Sequence, residues 1–176
     1  TSSSAQSESE TSTADTVASK VYMLTDITPE NLVKIYDALG REAKGKVAVK
    51  ISTGEPGGHN FLSPDLIKPL VEKVNGTIVE CNTAYNGRRS STAEHMKAAE
   101  EHGFTAIAPV DIMDAEGEVR LPVNGGKHLD YDIVGSHFPK YDFTIILSHF
   151  KGHAMGGFGS EVKNMSIGIA SANGKS

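Results

Sequence analysis

Only one cysteine, Cys81, occurs in 176 residues, so the chain can close no internal disulfide and can hold no metal or iron–sulfur cluster on thiolates alone. It sits in Thr77 to Thr83, a stretch that reads as a strand, where a lone cysteine is a small buried hydrophobe. No run approaches the roughly 20 apolar residues of a membrane helix. The chain has no block of Lys and Arg, and its formal net charge is -5 at pH 7. That balance argues against a nucleic-acid partner, leaving only a local basic pair at Arg88 and Arg89, and reads as solubility. A Gly-x-Ser-x-Gly elbow is missing, so a serine hydrolase finds no support. The glycines match neither the dinucleotide fingerprint nor the P-loop, and there is no internal repeat.

What is present divides in two. Residues 1–19 are a Ser/Thr/Glu/Ala/Gln mixture with almost no large apolar side chain, too polar to offset the entropy of ordering, and are expected to form a disordered tether. A Ser/Thr-rich tether in a chain that begins at Thr1 fits an exported, membrane-tethered bacterial lipoprotein; an ordinary flexible tail on a cytoplasmic protein is the alternative. Residues 20–176 are expected to form a single α/β domain.

Within that domain, Lys20 to Leu24 reads as a short strand. Thr28-Pro29-Glu30 caps a helix whose apolar stripe is Leu32, Ile35, Tyr36 and Leu39. Lys46 to Ile51 alternates as a strand. Ser63-Pro64-Asp65 opens a second helix with Leu66, Ile67, Leu70, Val71 and Val74 inward and Gly76 as its stop. Thr77 to Thr83 is a strand, Thr92 to His102 a helix closed by Gly103, and Ala106 to Ile112 a strand. Val119 to Val123 and Tyr131 to His137 look like hairpin arms. Asp142 to Ser148, the most hydrophobic strand, is expected at the centre of the sheet, and Glu161 to Ala170 as a closing helix. Alternating strands and helices predict a mostly parallel sheet flanked by helices in Rossmann-like layers. In that architecture the loops at Glu55, Asn82 to Arg89 and His149 to Lys163 converge at the carboxyl ends of the strands.

The last of these loops is the richest in chemistry. Ser148 to Asn164 holds His149, His153, Lys151, Lys163 and the glycines Gly152, Gly156, Gly157 and Gly159 directly after an apolar run. Glycine backbone can approach an anion or cofactor closely, the lysines supply charge, and the histidines supply ligands or proton transfer. His149 and His153 are candidate metal ligands, an incomplete pair to which Glu55 or His59 could add a third. Asn82, Tyr85, Arg88 and Arg89 form a second cluster suited to a carboxylate or phosphate, or else arginines that merely cap a loop. His95 and His102 are expected to be solvated, and His128 and His137 are given no role.

From Lys46 onward the order of motifs resembles the domain of unknown function 362 family. The matching pieces are Val47 to Ile51 with Gly54-Glu55-Pro56-Gly57, Asn82-Thr83-Ala84-Tyr85 with Gly87-Arg88-Arg89-Ser90, and His95 followed by His102-Gly103-Phe104. They continue with Gly125-Gly126-Lys127-His128, then Ile145 to His153 running through Gly157-Phe158-Gly159 to Lys163-Asn164 and Gly168. The resemblance implies an iron–sulfur-associated redox protein whose relatives carry a cysteine-rich ferredoxin-like segment. Any four-iron cluster would need sequence beyond Ser176. His149 to Gly168 is also similar, more faintly, to the nickel-pincer lactate racemase family. That similarity implies that Lys163 bears a cofactor, with nickel or another divalent metal near His149 or His153.

The expected function is therefore a domain that binds an anionic small molecule or cofactor in a strand-end cleft, with a ferredoxin-like domain or redox partner. The cleft is lined by Glu55, His59, Asn82, Tyr85, Arg88, Lys151, Gly156, Gly157 and Lys163, and Lys163 and His153 carry any catalysis. A racemase-like enzyme with a metal or lysine-linked cofactor and a non-catalytic surface-tethered solute-binding module are the alternatives.

Overall fold

A computed structural model describes residues 18–153 and 156–176. The expected tether lies outside the described residues except for its last two positions, as do Ala154 and Met155. Among the described residues Lys20 to Leu24 has no strand partner, and Val21 and Met23 are 90% and 82% exposed. The expected strand there fails because an apolar pattern cannot supply a sheet edge to pair with. The first helix, α1 (Pro29–Ala38), begins as its residues dictate: the Thr28 hydroxyl accepts from Asn31 N at 3.2 Å.

Four strands make the central sheet: β1 (Val47–Lys50), β2 (Thr77–Glu80), β3 (Val110–Ile112) and, further along the chain, β6 (Phe143–Ile146). Their order is β3-β2-β1-β6 and every pairing is parallel, so the domain is the expected α/β type. The helices α2 (Pro64–Lys73) and α3 (Thr92–Glu101) connect β1 to β2 and β2 to β3. Ser63 caps α2 through Leu66 N at 3.2 Å. The stop of α2 is Asn75 rather than Gly76: Asn75 takes the left-handed conformation (φ 47°), and Gly76 N bonds back to Val71 O at 2.9 Å. One face of the sheet packs Val47, Val49 and Ile78 against Ile67, Leu70 and Val71 of α2 and Phe104. The other face packs Ala48, Val79 and Cys81 against Met113, Val134 and Ile169.

Strand β6 is at the edge, not the centre. β1 is the strand paired on both sides, and all four of its residues are buried. The continuous hydrophobicity of β6 has another cause: Phe143 and Ile145 pack on one core and Ile146 on the other, so both faces are covered at an edge position. The expected strand from Ala106 shrinks to β3, because Phe104 to Ala106 forms a 3-10 turn that buries Phe104.

An antiparallel ribbon, β4 (Glu118–Pro122) with β5 (Tyr131–Gly135), matches the expected hairpin arms. A second hairpin, β7 (Lys151–His153) with β8 (Gly157–Gly159), replaces the expected loop. The closing helix is short, α4 (Glu161–Met165), instead of reaching Ala170. At Gly168 a Cβ would stand 2.2 Å from Asn164 O and 2.8 Å from Lys50 Nζ, so the chain turns tightly there and delivers Ile169 and Ala170 to the core beside β5.

His137, given no role from its spacing, fastens the ribbon to the sheet. Its Nδ1 lies 2.8 Å from Asp111 Oδ1, and the Glu116 carboxylate is 2.9 Å from Nε2. Tyr141 donates to the other Asp111 oxygen at 2.7 Å. The hydrogen bond to Asp111, then the nearby Glu116 carboxylate, raise the His137 pKa above its ordinary value. A raised pKa in the folded state stabilises fully below the ordinary histidine value of about 6.5 and fades as pH climbs through the raised one. The melting-temperature gap between wild type and His137→Ala is therefore wider at pH 5.5 than at pH 8.5. An equal gap at both contradicts this assignment.

Candidate functional site

At the carboxyl end of β1, Lys50 is a fully buried lysine, 1% exposed. Its three protons have three acceptors: Ile51 O at 2.6 Å, Asn164 Oδ1 at 2.7 Å and Glu80 Oε2 at 2.9 Å. Glu80, at the end of the neighbouring β2, also accepts from Thr53 N at 3.0 Å through Oε1. Burial alone pushes the Glu80 carboxyl up; the Lys50 and Arg89 charges outweigh it and hold the pKa below the usual range.

Arg89 enters from the loop after β2. Its Nη1 is 3.6 Å from Glu80 Oε1, and its Nη2 donates to Tyr85 Oη at 2.8 Å and to Glu55 Oε1. Tyr85 also donates to Glu55, at 2.7 Å. Partial burial raises the Glu55 pKa, but the hydrogen bonds from Arg89 and Tyr85 prevail and lower it. The Glu55 and Asn82 to Arg89 loops therefore meet, as the strand-end argument requires.

His95 lies beneath them and is wholly buried, contrary to the expected solvated position. Its Nε2 is 3.0 Å from Thr53 Oγ1 and its Nδ1 3.3 Å from Asn82 Oδ1, while Asn82 Nδ2 donates to Thr92 at 2.9 Å. Burial pushes the His95 pKa down to about 4, so this imidazole is neutral. His102 is also covered, stacked on Phe61 at 4.2 Å with Nδ1 2.7 Å from Thr53 O. Both corrections have one cause: His95, Ala98 and Ala99 form the face α3 turns to the sheet, a stripe too small and polar to read as apolar.

The β7–β8 hairpin and α4 build the other wall. Lys163 Nζ is 2.6 Å from His153 Nε2, and Gly156 N donates to His153 Nδ1 at 3.1 Å. These groups line a pocket of about 520 Å³ with Phe158, Ser160 and Ser166. Asn164, next to Lys163, donates to Leu147 O and Ser148 Oγ, each at 3.0 Å, while its oxygen takes the Lys50 proton. This wall reaches the Glu55 wall through Lys50 and Glu80.

The remaining expected positions scatter. Arg88 points outward and pairs with Glu94 at 3.0 Å and Glu101 at 2.8 Å on the surface of α3; its neighbour Arg89 is the arginine that turns in. His59 and Lys151 are exposed, Gly157 turns the hairpin, and Asn82 supports His95. His149 Nδ1 is buried without a partner. Among the described residues no group of three or more His, Cys, Asp or Glu side chains could hold a metal ion. Spacing passed over Lys50 and Glu80. Their signal was a lysine and a glutamate, one closing each of two apolar strands that turn out to be adjacent.

A family model matches residues 47–176, the stretch that begins at β1 and contains both walls. The chain belongs to the Domain of unknown function (DUF362) family. No curated protein and no solved structure matches it. In this DUF362 domain the single cysteine is buried, donates to Ile169 O at 3.2 Å, and is pushed up to about 12 by burial and then by Asp114. An inert thiol of that kind does not fit as an iron–sulfur ligand.

Removing one partner of a buried ion pair leaves the other charge uncompensated, at a cost of about 3–5 kcal/mol. Lys50→Met therefore lowers the unfolding free energy by about that much, whereas exposed Lys163→Ala changes it by less than about 0.5 kcal/mol. Equal effects in a urea titration contradict the ranking.

Proposed function

We propose that this domain binds an anionic small molecule or cofactor in the pocket between the β7–β8 hairpin and α4. The observation that carries the reading is a meeting of donors. Because Gly156 N–H donates into Nδ1 of His153, the ring carries its proton on Nε2, and Nε2 faces the Lys163 ammonium at 2.6 Å. Two donors in contact lack an acceptor, and an oxygen of a carboxylate or phosphate takes both in charge-assisted hydrogen bonds. Among the described residues no carboxylate lies within ion-pair distance of Lys163 or Lys151. Glu161, which shares the pocket, is engaged by Ser160.

The resemblance read from the motifs supports taking such binding as part of an iron–sulfur-associated redox protein. With Cys81 buried, the cluster would belong to a ferredoxin-like domain or partner. The exposed Lys163 amine at the pocket mouth, touching a proton-bearing ring, favours as a second reading an enzyme that carries its cofactor on this lysine.

Protein purified from its native host, analysed by intact mass and by mass spectrometry of heat-released small molecules, separates the readings. The first predicts a released anion and an unmodified chain, with Lys163→Ala and His153→Ala each retaining less than a tenth of the ligand. Added mass on Lys163 supports the second. Full retention of the ligand by both variants contradicts the placement.

A further inference from the structure

Arg89 offers a place for negative charge that is separate from the His153–Lys163 pocket. In the buried group at the strand ends, Lys50 and Arg89 bring two positive charges and Glu80 one negative. His95 is neutral, and Asp114 and Lys175, which hold the backbone of Asn82, add one charge of each sign. The missing negative charge is supplied by Glu55.

Glu55 is unlike Glu80 in every respect that governs exchange. Its side chain is 57% exposed against 5% for Glu80. It hangs on a loop without helix or strand, between Gly54 and Gly57, both at positive φ (83° and 74°). It meets the guanidinium through one oxygen only, Oε1, which takes Nη2. Meanwhile Arg89 Nε is buried and has no partner, in a side chain that is only 9% exposed. Nε and Nη2 form one edge of the guanidinium, the fork that grips both oxygens of a carboxylate in parallel. The tenant in place uses half of that fork and leaves a buried donor unpaired, which costs free energy until something satisfies it.

We propose that Arg89, with the Tyr85 hydroxyl, is a receptor for the carboxylate of a small organic acid, and that Glu55 is its internal occupant, displaced when the acid binds. An incoming carboxylate restores the same charge balance, engages Nε as well as Nη2, and inherits the Tyr85 hydrogen bond. Displaced Glu55 loses little, because its carboxylate already faces solvent. The assignment does not rest on the His153–Lys163 pocket and survives its failure.

The test is an NMR titration of the full chain with sodium acetate. Glu55→Ala binds acetate at least tenfold more tightly than wild type, with shifts at the Arg89 Nε–H and at the amides of Gly54 to Gly58. Glu55→Gln, which keeps the size and removes the charge, repeats the gain. Arg89→Lys in the Glu55→Ala background abolishes it. Equal acetate affinity in wild type and both Glu55 variants overturns the proposal. So does a response that survives Arg89→Lys or that sodium chloride reproduces. Since Glu55 is more than half exposed, its variants fold and decide the matter even if Arg89→Lys does not.

Discussion

The Lys50 ammonium, at the end of a strand buried on both faces, divides its protons among the Ile51 carbonyl just past β1, Glu80 of β2 and Asn164 of α4. Burying an ion costs several kcal/mol, so such a group persists only where each proton finds an acceptor. Here every one does. Against an apolar replacement such a pair adds little net stability. Its consequence is positional: three segments distant in sequence must bring particular atoms to one point. The same crowding keeps residue 168 a glycine, because a Cβ there would run into Asn164 O and then Lys50 Nζ.

From that point the polar groups extend in two directions. Through Glu80 the network reaches Arg89, and through Arg89 it reaches the surface at Glu55 and Tyr85. Through Asn164 it reaches α4, where the preceding residue, Lys163, meets His153. The two walls are thus different in kind. The Glu55 wall is a charge-balanced, largely buried network with one exposed carboxylate. The hairpin wall is exposed, donor-rich and short of negative charge. A domain built this way presents exposed donors on a hairpin and a short helix while the positions of both are set by buried strand ends.

Much of this was legible in the residues. Cap and proline pairs located α1 and α2, alternation located β1, an apolar run located β2, and the βα alternation predicted a parallel sheet with its loops gathered at one edge. The motifs that carry the family resemblance fall on the parts that build the walls. What failed to show has physical causes. β6 is apolar along its whole length because both faces are covered, and that pattern is the same at a sheet edge as at its centre. His95 looked solvated because its companions on α3 are alanines, whose burial leaves a weak stripe. Arg88 and Arg89 are adjacent, and only the tertiary position of Glu80 and Glu55 decides which turns inward. Lys50 and Glu80 could be seen as odd charges in apolar runs, but their pairing needs the strand order β2-β1.

Asn164 and Glu80 do not bond to each other; each bonds Lys50, and this shared proton donor couples the two walls. A double-mutant cycle in urea on Asn164→Ala and Glu80→Gln measures that coupling directly. The two losses are expected to depart from additivity by more than about 0.5 kcal/mol, because removing either partner already frees the ammonium. Losses that add to within about 0.3 kcal/mol would mean that Lys50 holds each wall independently, and would contradict it.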